Sequence, residues 1–518
     1  MEFYSVLFPN IELEEKVNEI APKSLKDLHL DQLFGYIFQE KYEYDLKGFF
    51  YTPLKNLEVI SYRQSVLKDL LKGDVRALFT TFSSKTGYLK RKMNNIRGGL
   101  PKRLEKEKNY LVRGELLESA YVYVCAIEDL ILKLDSMQIE SKGLVLFKEY
   151  ISEYAKDPFF IRLKNEVTRV KEIFNKIQYN LYIKGTSISL FKYDDEKSLT
   201  DEITALFDKF HQDGNGKPLP KLKPEAYNVD MENNIMAMMA KVYHEEFKEL
   251  EKFCAEFKDF DNPVLLRFSK EIQFYLSWYE ITEMIRNNGM SFTIPKVTLD
   301  KGHMYINDFY DCMLAFNLSG HVVPNSIRLD SPEHILVITG PNQGGKTTFA
   351  RAFGQAHYLA SLGLDIPGSD AEIYLIDQVL THFEVEESIE TLNGKLEDEL
   401  ERLYELKEAA TKDSVILINE IFASTTVEDA VKLGMHMMKY LEDLGAIAIV
   451  VTFLDELATL SSHEVSLMTE VAGEEDHTRT FKIVRKAPDG RAFAMDIAKK
   501  YGLSKEDLER RLAKWKLI

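Results

Sequence analysis

The stretch His334–Arg351, HILVITGPNQGGKTTFAR, restricts this chain more than any other. Ile335 to Thr339 is a short, branched, apolar run of the kind that makes a buried parallel strand. It leads into Gly340-Pro341-Asn342-Gln343-Gly344-Gly345-Lys346-Thr347, which fits G-x-x-x-x-G-K-[ST]. A helix-period segment follows from Thr348 to about Leu362. Strand, glycine-rich turn and helix start are the context in which this motif binds phosphate. Glycines let backbone N–H groups approach an anion closely, and the helix N-terminus adds its positive dipole end. Lys346 is placed to reach the β- and γ-phosphates, the Thr347 hydroxyl to ligate Mg²⁺, and Thr348 to stand beside them. With glycine near 7% of residues, the four fixed positions arise by chance roughly 0.02 times in a chain of this length. The reading is a nucleotide phosphate site.

A length of 518 residues gives room for more than one domain and for large cores. The balance of 66 basic and 83 acidic residues, a net charge of −17, excludes a surface that is basic throughout. Cys125, Cys254 and Cys312 are far apart and odd in number. They suggest neither a disulfide framework nor a zinc site, and a cytoplasmic setting is expected. The N-terminus MEFYSVLFPNIELEEK lacks the features of a signal peptide. No apolar run approaches the ~20 residues of a membrane span, so no membrane partner is expected.

The first 130 residues read as helices, with an apolar face from Leu57, Ile60, Val66, Leu67, Leu70 and Leu71 after Pro53. Between Lys85 and Arg113, ten basic residues face only Glu105 and Glu107, a local +8 in an acidic chain. Lys90, Arg91, Lys92, Arg97, Lys102 and Arg103 lie in it, and Gly98, Gly99 and Pro101 are expected to break the helix there. The stretch suits contact with nucleic-acid phosphates. It equally suits a solvated helix and loop that balances acidic neighbours. Residues 145–177 read as a long helix bent or broken at Asp157-Pro158. Tyr179–Lys184 and Ser187–Lys192 alternate with period two around Gly185-Thr186, which predicts a β-hairpin. A polar loop follows, and helical periodicity resumes from about Met231 to Arg286. After Gly289 strands dominate, so a domain boundary is expected near 290, with alternating strand and helix beyond it.

Val415-Ile416-Leu417-Ile418-Asn419-Glu420 has the form of a Walker B strand, apolar along its length and polar at its C-terminal end. Glu420 is the natural general base or water-orienting group. Asn419 stands where an Asp is usual. Its oxygen can orient a Mg²⁺-bound water but brings no charge. Coulomb's law at an effective dielectric constant of about 20 puts the lost attraction at several kcal/mol before screening. Weaker metal binding and slow hydrolysis are expected.

These motifs together resemble the ATPase domain of the MutS family. Its phosphate loop GPNMGGK[ST] is matched by GPNQGGKTT, and its Gly-x-x-[VI]-Pro step by Gly363-Leu-Asp-Ile-Pro367. Its Asp-containing strand is matched by Ile376–Thr381, and its DE-x-G-R-G-T-S-T-x-D-G region by Asn419–Ala430. Its last strand and helix are matched by Thr480–Arg485 and Phe493–Leu503. PLKNLEVISYRQSVLKDLL resembles the start of the family's lever domain, with Arg63 at a recurrent Arg. Phe38-Gln39-Glu40 spells the family's Phe-x-Glu mismatch wedge inside a helical pattern, and is read as coincidence. The resemblance implies an α + α/β fold: a helical lever- and core-like half at 1–290, with a small β-hairpin insertion at about 178–230 as a reduced clamp. A P-loop NTPase domain of the ABC-type, MutS-like kind follows at 291–518.

The resemblance further implies ATP and Mg²⁺ as cofactors, a homodimer through the ATPase domain, and duplex or branched DNA as partner. The family's trans Ser-Thr-Phe loop falls on Gly394, Lys395 and Leu396, and its Thr-His on Thr452-Phe453, so a serine and an imidazole are replaced. Two readings follow. One is a DNA-interacting ATPase that is not a mismatch reader. The other is a nucleotide-gated interaction protein without turnover or DNA binding. An ABC-transporter subunit is disfavoured, since no LSGGQ-type sequence precedes Val415.

Overall fold

Five residues with branched or apolar side chains, Ile335–Thr339 (β1), are all buried and pair in parallel on both edges. The other strands of this sheet are Val379–His382 (β2), Val415–Asn419 (β3), Ile447–Val451 (β4), Glu464–Ala472 (β5) and Thr478–Arg485 (β6). Their order is β2-β3-β4-β1-β5-β6, parallel except for the antiparallel edge pair β5–β6. The continuous apolar runs of β1, β3 and β4 are what a parallel sheet covered on both faces requires. One face carries a core of Ile335, Ile416, Ile418, Leu403, Met438 and Leu441. The structure, a computed structural model, describes residues 3–103, 110–184, 187–193, 229–318, 322–341, 343–383, 395–422, 425–458, 460–472 and 478–488. The polar loop after Lys192 and the helix expected from Phe493 lie outside these residues.

The chain divides into two compact units, the first being Met1–Ala77, Gln138–Phe147 and Lys270–Ile518, and the second Leu78–Met137 and Lys148–Ser269. This corrects the boundary expected near 290. The physical reason is the helix that follows the phosphate loop, Lys346–Ser361 (α1), which is buried along most of its length. Three of its polar side chains bond the backbone of the first 77 residues. Gln355 Nε2 donates to Leu28 O at 2.8 Å, Arg351 Nε to Asp27 O at 3.0 Å, and Tyr358 Oη to Phe50 O at 2.9 Å. Gly354 has no side chain where an added Cβ would lie 2.4 Å from Leu417 Cδ1 and 2.6 Å from Leu28 Cδ2. That close approach brings α1 against β3. At the far end of α1, Arg63 Nη1 donates to Leu362 O at 3.1 Å, and its Nε to Leu7 O at 3.2 Å. Burial pushes this guanidinium down to about 10, still a cation at neutral pH, lying 4.9 Å from the Phe8 ring. A four-stranded sheet, ordered Lys296–Thr298, Asp370–Tyr374, His303–Phe309 and Asn325–Asp330, completes this unit with the short pair Phe292–Thr293 and Ile366–Pro367.

Among its described residues the second unit is helical apart from the expected hairpin, Tyr179–Lys184 paired antiparallel with Ser187–Lys192. The break at Asp157-Pro158 is also present. Helix Lys142–Tyr154 ends, and Asp157 caps Pro158–Asn175 by accepting from Phe159 N at 2.7 Å. One expectation fails here. Gly98, Gly99 and Pro101 do not break the helix, which runs from Gly73 to Arg103. Local propensity yields to anchoring one turn earlier, where Met93 and Ile96 are buried and Arg97 is paired with Asp261. A cluster around Tyr110, Tyr243 and Phe247 forms part of this unit's core. Among the described residues no helix is long and apolar enough to cross a membrane.

Gln355 is fully buried and bonds three partners: Leu28 O, Asp311 Oδ1 and Cys312 N, the last donating to its Oε1 at 2.8 Å. Gln355→Leu keeps the volume and strands these groups. A loss of about 2–4 kcal/mol is expected, read as a lowered urea midpoint. An unchanged midpoint would show that α1 does not depend on residues 1–77.

Candidate functional site

The C-terminal ends of β1 and β3 and the N-terminal end of α1 meet at one place. β1 turns at Gly340, whose φ of +115° suits glycine, and where an added Cβ would sit 2.4 Å from Thr469 Oγ1. Gln343 also takes a positive φ, +61°. Lys346 opens α1 and folds back over the loop, donating to Gly340 O at 2.7 Å and Pro341 O at 3.2 Å. Its ammonium lies 4.3 Å from the centroid of the Phe453 ring. Burial pushes Lys346 down to about 8, while the charge of Glu420 acts in the opposite direction. A buried cation whose hydrogen-bond partners are two backbone carbonyls is suited to an incoming anion.

Thr347 donates its hydroxyl to Asn419 Oδ1 at 2.8 Å, across from α1 to the end of β3. Both oxygens are hard and neutral, a fitting pair for Mg²⁺ and its water shell. Among the described residues, no group of three or more His, Cys, Asp or Glu is placed to hold a metal. Glu420 follows directly, with its N–H donating to Val451 O at 2.9 Å and a φ of +58°. The turn directs its side chain into a cavity of about 340 Å³ that Gln343, Gly345, Lys346, Thr347 and Thr348 also line. This size falls in the range of small-ligand pockets.

The cavity combines the polar groups of the phosphate loop with an apolar wall of Phe309, Leu314, Leu318, Val322 and Phe481, the last lying beside Gly345. A lining of both kinds suits a ligand that carries charged and apolar parts. Asn325 pins the wall, donating from Nδ2 to Phe481 O at 3.1 Å and accepting from Ile483 N at 2.8 Å. Sequence reading missed this wall and Asn325. They come from separate segments that only the fold unites, and no motif marks them. The buried hydroxyls of Thr339 and Thr469, beside the loop, have no hydrogen-bond partner among the described residues. Orphaned donors of this kind fit a site that receives a polar ligand.

The structure thus unites Gly340, Pro341, Gln343, Gly344, Gly345, Lys346, Thr347, Thr348, Asn419 and Glu420. Asn342 and Gly394 lie outside the described residues. Lys395 begins the helix Lys395–Ala409 (α2), and its side chain is not described. Lys90, Arg91, Lys92 and Arg97 lie on helix Gly73–Arg103, as do Lys102 and Arg103, whose side chains are not described. Within that stretch Lys85 pairs with Asp129 at 2.7 Å, Arg97 with Asp261, and Arg113 with Glu251 at 2.8 Å. These three are engaged internally.

The family model of MutS domain V matches residues 336–516. An endonuclease MutS2 of Alkaliphilus oremlandii is 30% identical over 189 residues, 36% of this chain and 24% of that protein. A DNA mismatch repair protein MutS of Thermosipho melanesiensis is 27% identical over 224 residues, 42% of this chain and 27% of that protein. Another, of Thermotoga petrophila, is 21% identical over 345 residues, 66% of this chain and 41% of that protein. The matches therefore span about a quarter to two fifths of these relatives' length.

The position of Lys346 near 8 gives triphosphate binding a pH dependence with a definite sign. Below pH 8 the lysine is already charged and affinity should be flat. Above it, binding must first restore the proton, so ATP affinity should fall toward tenfold per pH unit. Lys346→Ala should lose tight binding at every pH. Titration of a fluorescent ATP analogue from pH 6.5 to 9.5 checks both, and a flat profile in the wild type would contradict the assignment.

Proposed function

We propose that this chain, a member of the MutS family through its domain V, is a cytoplasmic, Mg²⁺-dependent ATPase that acts on DNA as a homodimer. The observation that carries the reading is the meeting of Lys346, Thr347 and Glu420 around one cavity of about 340 Å³, with Asn419 bonded to Thr347 at 2.8 Å. Lys346 would neutralise the β- and γ-phosphates, with loop N–H groups supplying the remaining donors. Thr347 would ligate Mg²⁺ and Asn419 would orient one of its waters. The bound metal would offset charge on the transferring phosphoryl group. Glu420 would orient the attacking water. The apolar wall of Phe309, Leu314 and Phe481 would hold the base. Closure of two such domains on ATP would move the helical levers, with the hairpin Tyr179–Lys192 region as a reduced clamp. Lys90, Arg91 and Lys92 are the DNA candidates, Lys92 lying 5.5 Å from the Tyr88 ring.

Two observations favour the second reading, a nucleotide-gated interaction protein without turnover or DNA binding. Asn419 brings no charge to the metal, and Arg97 is held by Asp261. The two readings separate experimentally.

If Glu420 orients the water, Glu420→Gln should bind ATP as the wild type does and hydrolyse it at least tenfold more slowly, ~1.4 kcal/mol in barrier. Equal turnover in the two proteins would remove Glu420 from this role. For DNA, replacing Lys90, Arg91 and Lys92 by Ser should weaken binding to all duplex sequences alike. The log–log salt slope, near −0.9 per phosphate neutralised, should shrink by up to about three units. ATP affinity should hardly change. An unchanged slope, or no binding by the wild type at low salt, would favour the interaction protein.

A further inference from the structure

Glu420 sits in an unusual piece of backbone. Both Glu420 and Phe422 take left-handed conformations, with φ of +58° and +60°. Residues with side chains avoid this region, and they hold it only where the surroundings compel them. Three contacts do so here. The Glu420 N–H extends the pairing of β3 with β4 by donating to Val451 O. The side chains of Ile421 and Phe422 are buried in the core with Leu403 and Leu406 of α2. The third is a carboxylate. Glu399, also on α2, accepts the Phe422 backbone N–H on Oε1 at 2.5 Å.

Glu399 is 8% exposed, and His382 Nε2, from the end of β2, lies 3.8 Å from the same oxygen. A carboxylate withdrawn from water is costly unless it is paired and hydrogen-bonded. Burial works against the ionised form of Glu399, and His382, the Phe422 N–H and Arg402 together hold it below the usual range. A charged acceptor makes a stronger, more directional bond to a backbone N–H than a neutral one. That strength is directed at the residue two places after Glu420, in the turn that aims Glu420 at the phosphate loop.

We propose that Glu399 is a positioning residue for ATP hydrolysis, fixing the Phe422 N–H so that the left-handed turn presents Glu420 to the cavity. Because Glu399 rides on α2, a shift of that helix would alter the aim of Glu420 without touching Lys346 or Thr347. The inference rests on Glu420 as the water-orienting group. Glu399 acts through the turn and touches no part of the nucleotide.

The test uses the full chain and separates kcat from ATP binding. Glu399→Ala removes the acceptor and should lower kcat by about tenfold or more, with the ATP Kd within about twofold of wild type. Glu399→Gln keeps an oxygen for the Phe422 N–H and should retain kcat within about threefold. In a Glu420→Gln background, Glu399→Ala should add less than about a twofold further loss in single-turnover rate, since both act through one group. Should Glu399→Ala not fold, Glu399→Asp draws the oxygen back by one methylene and should show the same loss of kcat at unchanged Kd. Wild-type kcat in whichever of these two variants folds would overturn the proposal. So would full multiplicative losses in the double variant, or a parallel loss of ATP affinity that Gln does not rescue. A wild type that turns over no ATP would instead remove the role of Glu420, and that of Glu399 with it.

Discussion

The burial of the phosphate-loop helix is the constraint on which the rest of this structure depends. A helix of Lys346–Ser361 with most residues buried must find protein partners for its polar side chains. Gln355, Arg351 and Tyr358 meet that need with carbonyls from Leu28, Asp27 and Phe50. Arg63 does the same for the carbonyl at Leu362. The first 77 residues are therefore part of the nucleotide unit, although hundreds of residues separate them from it in sequence. Any displacement of α1 by ligand has a direct route to Leu28, Phe50 and Arg63.

At the other end of α1, close packing becomes chemistry. Gly354 lets the helix approach Leu417, and the same approach carries Thr347 to within hydrogen-bond distance of Asn419. The site draws its charge from Lys346 and Glu420, while Thr347 and Asn419 are neutral. Substituting Asn for the usual Asp removes a charge that would otherwise attract the metal, and Phe453 puts a ring face against the Lys346 ammonium. On the proposed reading both features would lower the pull on Mg²⁺–nucleotide relative to a fully charged site, and slow turnover is expected from them.

Much of this was legible in the chain itself. Strands at 335–339, 415–419 and 447–451 are spelled by continuous apolar runs, and the phosphate loop by glycines at fixed spacing, because these depend on neighbouring residues alone. The hairpin at 179–192 and the cap at Asp157 are equally local. What escaped depends on contacts distant in sequence. The docking of residues 1–77 on α1 moved the expected boundary at 290, and burial of Met93 and Ile96 carried a helix through Gly98, Gly99 and Pro101. Glu399 could not be told from Glu397, Asp398 and Glu401 around it, since only the fold turns it toward the Phe422 N–H. The apolar wall of Phe309, Leu314 and Phe481 is likewise assembled from segments that carry no motif.

The central claim, that Lys346, Thr347, Asn419 and Glu420 form a working ATP site, is tested most directly by phosphate release from purified full-length chain. Release is measured in excess Mg²⁺ and in EDTA, with and without duplex, single-stranded and branched DNA. Slow release above the protein-free background that requires Mg²⁺ and changes with DNA is the expected result. Bound ATP without any Mg²⁺-dependent release, under every DNA condition, would contradict it.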